Sequence, residues 1–120
     1  MPNPPTSAVY QFFVGSTFKT LTLNFDTQWN IVNSSINSTP ISGSYNPATG
    51  EITFLEHPAG WWPMGFPYFD GYFFMTPTST SQQATFAGVF DQTVLVHSGT
   101  WPNIILQWKR IENGWVALKQ

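Results

Sequence analysis

The sequence predicts an all-β domain: a small antiparallel barrel of about eight strands, with a two-sheet sandwich as the alternative. Three observations predict it. Ten Pro and nine Gly punctuate the chain at short intervals, and short segments between close turn signals are the pattern of barrels and sandwiches. Those segments are rich in Thr, Phe, Val, Ile and Trp, which suit a pleated, half-buried surface, whereas the helix formers Ala, Glu and Lys are scarce. In the longest stretch free of Pro and Gly, 16–39, Leu21, Leu23 and Phe25 alternate with Thr20, Thr22 and Asn24, a period of two.

Taken in chain order, 1–7 reads as a disordered N-terminal segment of a single domain spanning 1–120. Strands are predicted over 9–14, 17–25, 29–34, 41–45, 51–56, 68–75, 84–90, 93–97, 104–112 and 115–119. Asn46-Pro47-Ala48-Thr49-Gly50 closes a hairpin between Tyr45 and Glu51, because Pro fixes φ and Gly accepts a positive φ. Asn113-Gly114 is the strongest two-residue hairpin signal in the chain. It would set Glu112 opposite Trp115, Arg110 opposite Ala117 and Trp108 opposite Lys119. Trp108, Arg110, Glu112 and Trp115 would then share one face, a solvent, interface or binding wall with Arg110 stacked on a Trp. Ile105, Ile111, Val116 and Leu118 would form the core face.

Composition limits the function classes. The 120 residues suffice for one core. Only 8% are charged, against about a quarter in a typical chain. Four Lys plus Arg at a net charge of −2 give no basic patch, so no nucleic-acid partner is expected. A near-neutral surface gives little protection against self-association, and a homo-oligomer is expected. There is no cysteine, hence no disulfide or thiolate metal site. The opening residues carry neither a basic stretch nor an apolar run of signal-peptide length. That leaves a cytoplasmic chain or one exported by a non-standard route. No run is long and apolar enough for a membrane span.

Ile41-Ser42-Gly43-Ser44-Tyr45, Phe69-Asp70-Gly71-Tyr72-Phe73 and Phe86-Ala87-Gly88-Val89-Phe90 share the pattern Gly-x-aromatic. A strand Gly marks a bulge or sharp bend, which a small barrel uses to close. With Gly15-Ser16-Thr17-Phe18, Ala48-Thr49-Gly50 and Gln107-Trp108, this pattern resembles the calycin barrels, and within them the strands of the avidins. The resemblance implies a meandering eight-stranded barrel and ligand contacts at Ser16, Tyr45 and Trp108. Phe12-Phe13-Val14 stands where avidins place an Asn before the Gly-Ser pair, so no biotin site is implied.

The least ordinary segment is Pro58-Ala59-Gly60-Trp61-Trp62-Pro63-Met64-Gly65-Phe66-Pro67-Tyr68-Phe69. Its Pro and Gly exclude a regular element, yet it is heavily aromatic. It reads as a lid or subunit contact, or as a platform for the face of a sugar or other flat ligand. His57 and His97 lack any ligand spacing, so no metal or cofactor is expected. His57 reads as a polar cap at a strand end. Asp70 and Asp91, with apolar neighbours, are the acids most open to enclosure; turn or strand-end roles are the simpler reading. Asn33-Ser34-Ser35 and Asn37-Ser38-Thr39 match the N-glycosylation pattern in a stretch read as an exposed loop or edge strand.

Together these features predict a non-catalytic binding protein for a small neutral ligand, a glycan or a flat apolar molecule. The contacts would come from Trp61, Trp62, Tyr68, Trp108, Arg110, Trp115, Tyr45 and Asp70. An assembly subunit that uses the aromatic loop as an interface is the first alternative. A barrel enzyme that templates an apolar substrate is the second.

Overall fold

The computed structural model describes residues 3–57, 66–77 and 81–120, apart from the side chains of Leu95 and His97. Eight strands follow in chain order: β1 (Ser7–Val14), β2 (Thr17–Asn24), β3 (Asn30–Ile36), β4 (Thr39–Asn46), β5 (Glu51–Glu56), β6 (Tyr68–Pro77), β7 (Gln82–Thr100) and β8 (Asn103–Lys119). Each pairs antiparallel with the next, and β8 returns to β1, so the sheet closes on itself as a meander. The all-β expectation holds. The ring is uneven, and a flattened, sandwich-like description fits the same pairing.

The weakest joint is β2 to β3, with only the partners Leu21–Ile36 and Thr22–Ser35. β3 is irregular there: its pairing with β4 shifts register between Ile31 and Ser34, with Asn33 at φ 48°. Side chains bridge the gap. The Asn24 amide N–H donates to Ser34 Oγ at 2.8 Å, and Asn24 Nδ2 donates to the Asn33 carbonyl at 2.7 Å. Farther along, the Thr20 N–H donates to Asn37 Oδ1 while the Asn37 N–H donates to the Thr20 carbonyl. The Asn- and Ser-rich stretch is therefore an inner strand of the ring and its turn, not an edge.

The interior is filled by two aromatic layers. Phe12, Phe54, Phe69 and Trp115 form one, with Phe54 and Phe69 stacked at 4.7 Å and the Phe12 ring 5.6 Å from Trp115. Tyr10, Tyr45, Phe73 and Phe86 form the other, with ring centroids 5.2 to 6.4 Å apart. Phe25 and Trp29 pack under Tyr45 and close that end of the barrel. Trp29 sits there at φ 64° because Asp26 Oδ1 accepts the N–H groups of Gln28 and Asn30, both at 2.9 Å. Burying one such ring is worth about 3–5 kcal/mol against truncation to Ala.

Glycine makes room for the largest of them. Gly71 and Gly88 are partners across β6 and β7 and face inward. A Cβ on Gly71 would lie 2.6 Å from Trp115 Cζ2, and one on Gly88 only 1.9 Å from the Asp70 carbonyl. The indole rests in that gap and donates to the Val89 carbonyl at 3.0 Å, so its polar atom is satisfied in the core. In all three Gly-x-aromatic repeats the Gly shares its face of the sheet with the aromatic two residues on: Tyr45, Phe73 or Phe90.

Three sequence expectations are corrected. Segments 84–90 and 93–97 are one strand, as are 104–112 and 115–119. Asn113-Gly114 makes no turn; it runs through β8, with Gly114 opposite Val89. A turn there would have placed Arg110 and Glu112 on the face of Trp115 and Ala117, the buried one, at the cost of desolvating two charges. The chain instead turns at Trp101-Pro102, whose peptide bond is cis. The predicted core face is reversed: Trp115 and Ala117 point inward, Val116 and Leu118 are half-buried outside, and Ile105 is exposed. Among the described N-terminal residues, Pro4 is buried, the Thr6 carbonyl accepts the Phe25 N–H at 2.8 Å, and Ser7 begins β1.

These contacts separate two glycines sharply. Gly71→Ala should destabilise by about 1–3 kcal/mol or more through overpacking against Trp115. Gly114→Ala, whose new Cβ would approach nothing closer than 3.8 Å, should change stability by under about 0.5 kcal/mol. Urea unfolding followed by Trp fluorescence measures both. A large loss at Gly114 would restore the turn that the structure denies.

Candidate functional site

Among the described residues, those predicted to hold a ligand are divided between the core and the outer face of the sheet. Trp61 and Trp62 lie outside the described residues. Tyr45 and Trp115 belong to the core, 3% and 4% exposed. Tyr68 and Asp70 stand on the outer face of β6, and Trp108 and Arg110 on the same face of the sheet farther along β8. Ser16 is exposed in the β1–β2 turn. Asp70 and Asp91 are not partners. Asp70 lies beside Glu51, whose carboxyl it pushes upward by hydrogen bonding and charge repulsion. Asp91 receives Arg110 Nε and Nη2 at 3.0 and 2.7 Å, which holds its carboxyl below the usual range. Arg110 is thereby tied to acids, with Glu112 at 3.4 Å, not stacked on a Trp. His57 does cap a strand end, 2.6 Å from Ser42 Oγ and edge-on to Phe66.

Two features stand out instead. The first is an arm. β6 pairs with β7 only as far as Asp91, and β1 with β8 only as far as Trp115. Beyond those points β7 and β8 continue as a two-stranded ribbon to Thr100 and Asn103. The protein is consequently 60 Å long but only 31 by 25 Å across. Along the ribbon, Ile104, Ile105, Leu106 and Trp108 are 42 to 63% exposed, and Trp101 at the tip is 84% exposed. Among the described strands, none pairs with either outer edge of the ribbon. The alternation of Ile, Leu and Trp reads as strand in the sequence. Only the pairing limits of β1 and β6 reveal that no described strand continues alongside it, although Val94 on the ribbon is buried.

The second feature is the barrel mouth beside the arm. A cavity of about 230 Å³ is lined by Val14, Thr17, Lys19, Glu56, Pro67, Phe69, Phe90, Gln92 and Asn113. Phe69 and Phe90, 5.0 Å apart, form its apolar floor. Glu56 is the inward residue after Ile52 and Phe54 on β5, and is 9% exposed. Its backbone N–H donates to the Pro67 carbonyl at 3.0 Å; its carboxylate makes no hydrogen bond among the described residues. Burial pushes that carboxyl up, and the Lys19 ammonium on β2 partly offsets the rise. Period two marks Glu56 as inward, but no local signal says that the strand ends at a cavity. No cluster of His, Cys, Asp and Glu suited to a metal occurs among the described residues.

Comparison with protein-family models, with curated proteins and with solved structures finds no match. The calycin resemblance is neither supported nor opposed, and the barrel rests on its own strand pairing. No described helix is long and apolar enough to cross a membrane.

The buried Glu56 gives a signed prediction. Because its folded-state pKa is raised, its contribution is most favourable below the unfolded value, about pH 4.3. That contribution is lost as pH rises through the folded value. Glu56→Gln should therefore be more stable than the parent near pH 7, and the difference should vanish below about pH 4. Urea midpoints across this range measure it. A variant less stable at neutral pH would mean that Lys19 more than compensates the desolvation.

Proposed function

We propose that this chain is a non-enzymatic assembly module whose β7–β8 arm joins a second copy of itself. The observation that carries the reading is the exposure of Trp101, Ile104, Ile105, Leu106 and Trp108 on a ribbon that leaves the barrel. Exposed apolar side chains on both faces of the ribbon, Ile104, Leu106 and Trp108 on one and Ile105 on the other, are of the kind that marks an interaction site. Free strand edges are templates for adding another strand, and the arm offers two. Natural edges are guarded by charges and Pro. This arm has Pro102 at its tip and Lys109, while Arg110 is occupied by Asp91 and Glu112. Two copies therefore meet little like-charge repulsion, in keeping with the chain's low net charge.

The other two readings draw on different parts of the molecule. The barrel interior holds two aromatic layers where a templating enzyme would require open space. A small-ligand role finds its support at the mouth, not on the predicted aromatic set.

The test is the mass of the protein in solution. Light scattering over a concentration series should give a dimer or larger species for the parent chain. Ile105→Ser combined with Leu106→Ser should return a monomer whose melting temperature is within a few degrees of the parent's when both are dilute. Exposed positions of this kind contribute under about 0.5 kcal/mol each to folding. A parent monomeric at every concentration, or a variant of unchanged mass, would defeat the proposal.

A further inference from the structure

The mouth cavity lies at the root of the arm, with Gln92 and Asn113 in its lining, and has its own chemistry. Glu56 enters from β5 and Lys19 from β2, with β3 and β4 between them in the ring. The two line the same cavity without ion-pair contact. Gln92 and Asn113 supply amide groups from β7 and β8, and the Phe69 and Phe90 rings lie beneath.

We infer that this mouth binds a small zwitterion of the amino-acid kind, with its ammonium on Glu56, its carboxylate on Lys19 and an apolar side chain on the phenyl floor. The desolvation of the Glu56 carboxyl is only partly offset by the Lys19 charge, and a ligand ammonium supplies both a hydrogen-bond donor and the opposite charge. A bare cation would gain Glu56 but be repelled by Lys19; a bare anion would meet the reverse. Only a dipolar molecule satisfies both at once. Size points the same way. The cavity of about 230 Å³ lies below the roughly 300–1,000 Å³ of drug-sized sites, which suits a ligand no larger than one amino acid. The phenyl floor favours an aliphatic or aromatic side chain over a polar one, because burying apolar area there is the available driving force.

Three probes separate the contributions: L-leucine, isopentylamine (the same skeleton without the carboxylate) and 4-methylpentanoate (without the ammonium). Binding is read by titration calorimetry and by NMR shifts of the Gln92 and Asn113 side-chain amides. Leucine should saturate at millimolar concentration or below, and each analogue should bind at least tenfold more weakly. Glu56→Gln and Lys19→Met should each weaken leucine at least tenfold, while their melting curves show that the barrel remains folded. The inference is overturned if leucine does not saturate at tens of millimolar. It is equally overturned if either analogue matches leucine, or if both variants bind it as the parent does. Repeating the titration on the arm variant keeps the result separate from the state of assembly.

Discussion

The structure depends on one close approach: at the partnered glycines Gly71 and Gly88 two strands meet with no room for a Cβ, and the Trp115 indole packs against Gly71. Without that gap an indole could not lie inside so narrow a barrel, and its N–H could not reach the Val89 carbonyl. With it, Trp115 becomes the member of the aromatic layer that touches Phe12, Phe54 and Phe69 together. Trp115 lies opposite Gly88 across β7–β8 and opposite Val14 across β8–β1, where the ring closes. With Trp115 held inward, the local turn preference of Asn113-Gly114 is overridden, since a turn there would carry Arg110 and Glu112 onto the buried face.

A barrel filled in this way has its functional surfaces elsewhere. One end is closed by Phe25 and Trp29, fixed by the Asp26 carboxylate. The other end holds the Glu56 and Lys19 mouth, and from its rim the β7–β8 ribbon extends. The sharp division between a packed interior and an apolar ribbon is the physical basis for assigning assembly to the arm and small-molecule recognition to the mouth. Each departs from what stability alone would select. The arm leaves large apolar side chains in water, and the mouth buries a carboxylate that makes no hydrogen bond among the described residues.

Much of the fold was legible from local patterning. Strand β5 coincides with its predicted limits, and the Tyr45 to Glu51 hairpin closes as Pro47 and Gly50 imply, with Gly50 at φ 80°. The shared face of Gly43, Gly71 and Gly88 with Tyr45, Phe73 and Phe90 follows from period two. The parity of β8 was not legible, because it depends on whether the chain turns at Gly114, and that is decided by Gly71 and Gly88 far away in sequence. For the same reason Trp115 and Tyr45 looked like ligand contacts: an aromatic residue has the same local signature in a core as at a binding wall. The arm was hidden for a different reason. Ile104, Ile105 and Leu106 read as buried strand, and only the extent of β1 and β6 shows that no partner covers them.

Amide hydrogen exchange along β7 and β8, followed at low and high protein concentration, addresses the division between barrel and arm most directly. In dilute protein, amides bonded across the ribbon between 93–100 and 103–110 should exchange far faster than those of 84–90 and 115–119, which pair within the closed ring. As concentration rises, the arm should gain protection while the barrel stays constant. Arm protection equal to that of the barrel and independent of concentration would contradict the account. It would mean that the ribbon is already integrated into the fold of a single chain.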